Sequence, residues 1–155
     1  MKMVYLVAEK SRDPKTKIGA VLVKDKHIIS TGYNGFPIGV KDLPERYNNR
    51  ETKLKYVSHA ESNAILSCAR FGISSMGSIL FTNGTPCQEC CKDVIQGGIK
   101  EIVIHGQWPE MTHSNLWVES VKISKTMLEE CNINVRIFDK FLDVNGYLDG
   151  KVIRV

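Results

Sequence analysis

Four residues stand out for the chemistry that their types and spacing permit. His59 and Glu61 lie two apart in Ser58-His59-Ala60-Glu61, and Cys87 and Cys90 lie three apart in Thr85-Pro86-Cys87-Gln88-Glu89-Cys90. One imidazole and two thiols make a three-ligand set for zinc, and three protein ligands with an open fourth position mark a catalytic rather than a structural site. Water in that fourth position ionises near neutral pH and becomes a nucleophile without strong base. Glu61, two residues beyond the first ligand, is placed to take and return protons. Each pair also opens a predicted helix. Ser58 with Glu61 and Thr85 with Gln88 fit the capping-box pattern, and Pro86 suits a first helical position. A cysteine at a helix N-terminus has its thiolate favoured, and the thiolate is the form that binds metal.

The spacing leaves other readings open. Glu61 can be a capping partner and nothing more, and the Cys-x-x-Cys pair can be a redox couple. A structural zinc needs a fourth ligand, for which Cys91, His105 and His113 are the candidates. Cys68, Cys91 and Cys131 otherwise read as small core residues, and Trp108 and Trp117 as packing aromatics, with Trp108 in a loop on the rim of the site.

The elements that must position these residues follow from periodicity. Residues 2–11 have helical spacing; residues 18–23 and 27–31 are strand-like around the polar turn Lys24-Asp25-Lys26, which predicts a hairpin. From 32 to 57 the periodicity disappears, and a stretch this long predicts a binding loop or lid. A helix follows at 59–71, a strand at 78–82, a helix at 86–96 ended by Gly97-Gly98, and a strand at 101–105. A helix over 114–131, with Leu116, Trp117, Ser120, Val121, Met127, Leu128 and Cys131 on one face, leads to a strand at 133–138. The helix between the last two strands implies a crossover, so those strands should be parallel. A further short strand is expected around 152–155. The helices opened by His59 and Cys87 then start side by side at the carboxyl edge of a sheet, where open α/β sheets place ligands.

The 155 residues, 43% hydrophobic and 25% charged, predict one domain spanning 1–155. No apolar run long enough for a membrane span is present, and residues 1–10 are too short and too charged for a signal peptide, so a cytoplasmic protein is expected. Five cysteines, three of them within positions 87–91, argue for thiols doing metal or redox chemistry in a reducing compartment rather than for a disulfide framework. The net charge of +4 is uneven: residues 1–56 carry 12 Lys/Arg against 6 Asp/Glu, and residues 57–155 carry 9 against 11. The basic front third is either solvated surface or the lining for an anionic ligand, and it is too diffuse for a nucleic-acid polymer.

With these residues in view, the sequence resembles the deoxycytidylate (dCMP) deaminases of the cytidine deaminase-like superfamily. The matching stretches are Ser11-Arg12-Asp13-Pro14 with Lys17-Ile18-Gly19-Ala20, GYNGFPIG at 32–39, YVSHAESNAI at 56–65 and PCQECCKDVIQGGIKEI at 86–102. The His-x-Glu and Pro-Cys-x-x-Cys elements are the signature of the zinc-dependent nucleobase deaminases, and GYNGxP narrows the resemblance to the dCMP branch. It implies a three-layer α-β-α sandwich around a five-stranded mixed sheet whose last two strands are parallel. It also implies a catalytic zinc on His59, Cys87 and Cys90, with Glu61 as proton shuttle in the deamination of dCMP to dUMP. Asn34 resembles the residue that holds the sugar, backbone groups near Ala60 would read the base edge, and Arg12 and Lys17 are the candidates for the 5′-phosphate. Gly32, Tyr33, Asn34 and Gly35 resemble the segment that receives a regulatory triphosphate with Mg²⁺, dCTP activating and dTTP inhibiting, in a homo-oligomer (hexamer or dimer). The chain departs from the family at Ser62, usually Leu, at Cys91, often Ala, and in residues 105–115, which lack the usual Tyr/Asp-rich pattern. The tail is unmatched, and no second zinc site is visible. Deamination of another small nucleotide or base, and a zinc-containing nucleotide-binding module without catalysis, are the alternative functions.

Overall fold

The structure is a computed structural model and describes residues 1–109 and 115–155. Residues 110–114, which include His113 and part of the 105–115 segment, lie outside the described residues. Five strands, β1 (Gly19–Lys24), β2 (His27–Tyr33), β3 (Ile79–Thr82), β4 (Glu101–His105) and β5 (Asn134–Phe138), form one sheet in the order β2-β1-β3-β4-β5. β1 runs antiparallel to both β2 and β3, whereas β3, β4 and β5 are parallel, as the expected crossover requires. The tight β1–β2 connection works because Asp25 and Lys26 both adopt left-handed backbone, φ 50° and 66°, which suits the twist of a two-residue hairpin turn.

Strand alternation assigns the two faces. Ala20, Leu22, Leu80, Ile102 and Ile104 pack under α4 (Ala60–Arg70), α5 (Gln88–Gln96) and α6 (Asn115–Glu130), meeting Ala60, Ala64, Ile65, Cys68, Cys91, Val94 and Leu128. Val21, Val23 and Phe81 point the other way, against Val4 and Val7 of α1 (Lys2–Ala8). Burying a side chain such as Leu22, Leu80 or Ile102, each fully enclosed, contributes about 1.5–3 kcal/mol. The sheet thus lies between two helical layers. The second layer is completed by a C-terminal hairpin, β6 (Asn145–Leu148) and β7 (Lys151–Arg154), whose Leu148 and Ile153 close over Tyr5, Trp108 and Val155. Among the described residues, no helix is long and apolar enough to cross a membrane.

Several expectations need correction. The aperiodic stretch 32–57 is not one open loop: it carries α2 (Pro44–Asn48) and α3 (Arg50–Tyr56), and Phe36 stacks on Tyr47 with ring centroids 4.4 Å apart. Helices of five and seven residues are too short to show a 3.6-residue repeat. In the tail, the single strand expected near 152–155 is the second arm of a hairpin. On α6, Ser124 and Leu128 are the buried residues, whereas Leu116 is 79% exposed and Cys131 is exposed. Trp108 is buried against Tyr5 and the tail rather than on a rim.

Candidate functional site

Both metal-ligand segments sit at the carboxyl edge of the sheet, but their helices start one and two residues later than predicted. α4 begins at Ala60 with His59 as its N-cap, and α5 begins at Gln88 with Cys87 as its N-cap; neither cap makes a side-chain hydrogen bond. Neither capping box forms. Ser58 instead donates its hydroxyl to Asn63 Oδ1 at 2.8 Å, and the Gln88 N–H is accepted at 2.9 Å by Ser120 Oγ from α6. Ser124, one turn along α6, donates to the Pro86 carbonyl at 2.9 Å. The corner that presents Cys87 is therefore held from outside by two serines, and Glu61 is released from capping to face the cavity.

The three candidate ligands converge. His59 Nδ1 lies 3.4 Å from Cys87 Sγ and 3.3 Å from Cys90 Sγ, and the two sulfurs are 3.6 Å apart. Tetrahedral zinc with Zn–S near 2.3 Å and Zn–N near 2.0–2.1 Å places two sulfurs about 3.8 Å apart and sulfur and nitrogen about 3.6 Å apart. The donor set and its spacing fit zinc. Among the described residues these three form the one His/Cys/Asp/Glu group with ligand atoms gathered within 4.8 Å. Two candidates for a fourth ligand are engaged elsewhere: Cys91 Sγ is 3.5 Å from the Ser124 carbonyl, and His105 is held between the Tyr5 hydroxyl and the Lys140 carbonyl. His113 lies outside the described residues.

The electrostatics follow from crowding. The Cys87 thiol is pulled down to about 4, first by the hydrogen bond from Cys90 and then by His59, against the opposing effect of burial. Cys90, which gives that hydrogen bond and is itself buried, is pushed up. Of the two thiols, Cys87 is thus the one poised as a thiolate. The hydrogen bond to Cys87 raises His59 above its ordinary value. Glu61, only 4% exposed and 3.6 Å from Cys90 Sγ, is raised by loss of solvation.

A cavity of about 380 Å³ opens over these groups, with His59, Ala60 and Glu61 in its lining together with Asn34, Gly84, Thr85 and Trp117. Its basic lining residues are Lys15, Arg50 and Lys53. Arg12 and Lys17 do not line it. Arg12 is on the surface, 3.4 Å from Asp42, and Lys17 reaches the Glu9 carbonyl and lies over the Tyr147 ring. The reason is a turn at Asp13, whose Oδ1 accepts the Lys15 and Thr16 N–H groups and swings the intervening residues towards the cavity. Lys53, on α3, pairs with Asp13 Oδ2 at 2.9 Å while only 15% of its side chain is exposed. Sequence reasoning missed Lys53 because α3 itself was not legible; its position within the +6 front third was the available signal.

Asn34 has a scaffolding role: its Oδ1 accepts the Ile18 N–H and its Nδ2 donates to the Thr16 carbonyl, both at 2.8 Å. Each group retains capacity for one further bond. Gly32 and Gly35 connect this loop to the ligand helix. A Cβ on Gly32 would lie 2.2 Å from the Ala60 carbonyl oxygen, so only glycine permits β2 to approach α4 there. Gly35 exchanges two backbone hydrogen bonds with Ser58, the residue before His59. Tyr33, between them, is 40% exposed.

Comparison with known proteins is consistent with this arrangement. Residues 1–106 match the family described as the cytidine and deoxycytidylate deaminase zinc-binding region. An uncharacterized deaminase in the luxG 3′ region of Aliivibrio fischeri is 36% identical over 135 residues, covering 86% of each chain. Human deoxycytidylate deaminase is 39% identical over 109 residues, covering 66% of this chain and 60% of that protein. The structure of dCMP deaminase from cyanophage S-TIM5 in complex with dCMP and dUMP is similar, with a TM-score of 0.66 and 26% identity over 88% of this chain and 92% of that one.

Proposed function

Since this chain belongs to the cytidine and deoxycytidylate deaminase family, we propose that it hydrolyses dCMP to dUMP and ammonia. The observation that carries this reading is the convergence of His59, Cys87 and Cys90 beside a buried Glu61, with His59 and Glu61 lining the cavity. His59, Cys87 and Cys90 would hold a zinc ion, which would supply a water acidified towards neutral pH. Glu61 takes a proton from the attacking water and passes it to ring N3 as the C4–O bond forms; it then carries the proton of the new C4 hydroxyl to the amine, so that the C4–N bond breaks, ammonia leaves and the C4 carbonyl forms. Ala60, at the first helical position, has an N–H without an intrahelical partner, suited to an acceptor on the base edge. Asn34 has capacity left for a sugar hydroxyl. The measurement is ammonia release by purified, zinc-loaded protein across nucleosides, mono- and triphosphates. Turnover of a different small nucleotide would move the substrate assignment, and no turnover of any would favour a binding module.

The phosphate end of the substrate is best served by the lining cations Lys53, Lys15 and Arg50, with Arg12 and Lys17 as the contrasting sites. Lys53 uses one of its three ammonium protons on Asp13, and a charge-assisted bond to phosphate from another is worth about 1.5–3 kcal/mol. Lys53→Met should therefore lower kcat/KM for dCMP by about 10- to 100-fold while leaving that for deoxycytidine near wild type. Arg12→Ala should leave the ratio unchanged. Since Lys53→Met also strands a buried carboxylate, it is best measured with Asp13→Asn in the same chain. An unchanged ratio in that double variant would remove Lys53 from the phosphate site.

Regulation by dCTP and dTTP with Mg²⁺, in a cytoplasmic homo-oligomer, is the finer part of the proposal. It is supported by the backbone bonds from Gly35 to Ser58 and by the packing of Gly32 on α4, through which a triphosphate at residues 32–35 can bias the position of His59. Coupling requires the two nucleotides to favour different loop states. At subsaturating dCMP, dCTP should raise and dTTP lower the rate, each with Mg²⁺; equal rates with dCTP, dTTP and neither identify a constitutive enzyme.

A further inference from the structure

The two ligand-bearing helices meet at a polar contact that the reaction itself does not use. Ser62 lies three residues after His59 on α4, and Asp93 lies three residues after Cys90 on α5. A three-residue step returns to nearly the same helix face, so each sits about one turn beyond a ligand and looks across at the other helix. Ser62 Oγ donates to Asp93 Oδ2 at 2.5 Å, the short end of the range for a hydroxyl bonded to a carboxylate. The same oxygen is 3.6 Å from Cys90 Sγ. On the sheet side α4 and α5 are joined by apolar contacts of Ala64, Ile65 and Cys68 with Cys91 and Val94. Such contacts are non-directional. Beside the longer sulfur contacts of Cys90 with Glu61 and Ser62, the Ser62–Asp93 bond is the short directional link recorded between the helices near the ligands among the described residues.

A tetrahedral site tolerates little drift: donor atoms 3.3–3.6 Å apart on two different helices must be kept there within a few tenths of an ångström. We propose that Ser62 and Asp93 form a positioning pair for the metal centre, clamping α4 to α5 so that Cys90 is held in contact with His59 and Cys87. The hydroxyl has one proton, and the nearer carboxylate takes it. The Ser62 oxygen is thereby fixed in direction and becomes a wall against which Cys90 Sγ rests. The pair touches neither substrate nor reacting atoms, and it rests on the zinc reading above.

The test compares zinc transfer from the holoenzyme to an excess of a chromogenic chelator for wild type, Ser62→Thr, Ser62→Val, Asp93→Ala and the double variant Ser62→Val with Asp93→Ala. Thr and Val have the same shape and differ in the hydroxyl, which separates hydrogen bonding from volume. Ser62→Thr should release zinc at the wild-type rate, and Ser62→Val and Asp93→Ala about 10- to 100-fold faster, the usual range for partners that orient a ligand. The double variant should be no faster than the quicker single one, because both remove the same bond. The Co²⁺-substituted protein should show altered visible absorption bands in the Val and Ala variants alone. Wild-type release from Ser62→Val, or independent additive effects in the double variant, overturns the proposal. If wild-type protein itself holds no zinc, the metal reading fails instead.

Discussion

Glu61→Gln is expected to lower kcat for dCMP by about 10²- to 10⁴-fold while the protein still binds one zinc per chain and remains folded. The side chain is buried and faces the cavity beside the ligand set, and glutamine matches its shape and retains a hydrogen-bonding oxygen. What glutamine cannot do is accept and release a proton, and positioned proton transfer contributes about that factor. The direction of the stability change is also set. Burial raises the Glu61 carboxyl above its usual value, so in metal-free protein the ionised form opposes folding, increasingly as pH rises through the unfolded-state value. Removing that charge should leave the melting temperature of metal-free protein at pH 7 equal or higher. Steady-state kinetics with elemental analysis provide the check, and a variant with near-normal kcat would end the assignment of Glu61 as shuttle.

Cys90→Ser should have a larger effect still: zinc retention lost on dialysis and deamination reduced to background. Cys90 is 1% exposed and is within 3.6 Å of Cys87 Sγ, Glu61 Oε2 and Ser62 Oγ, with His59 Nδ1 nearer at 3.3 Å. A serine hydroxyl there is a poor zinc ligand, and without the metal a water keeps its ordinary pKa near 16. Cys91→Ala supplies the contrast. That neighbour is fully buried with its sulfur towards the Ser124 carbonyl, so the variant should keep zinc and activity and lose only packing, costing about 1–2 kcal/mol. Loss of zinc from Cys91→Ala would identify a four-ligand structural site and remove the open position that catalysis needs.

Much of this protein is determined locally and is legible in the sequence alone. The strand alternation of 18–23, 78–82 and 101–105, the helical repeat after residue 59 and the helix-ending Gly97-Gly98 are short-range patterns, so the elements and the parallel pairing of β4 with β5 could be read from them. The ligand set was legible for the same reason: His-x-Glu and Cys-x-x-Cys each place their members by spacing along one helix start. Which neighbours complete the site is a different kind of information. Ser120 and Ser124 hold the Cys87 corner, Asp93 meets Ser62, and Lys53 enters the cavity from a seven-residue helix with no readable period; each of these partners is 30 or more positions from the group it touches. Ser58 and Thr85 carry the right side chains for capping boxes, yet Ser58 bonds Asn63, the Gln88 N–H is taken by Ser120 of α6, and the helices start at Ala60 and Gln88. Local sequence specifies which groups can bind metal and move protons because those properties belong to side chains and short spacings. Only the packed sheet decides which distant hydroxyls and charges surround them, because that depends on how β1, β3 and β4 bring their loops to one edge.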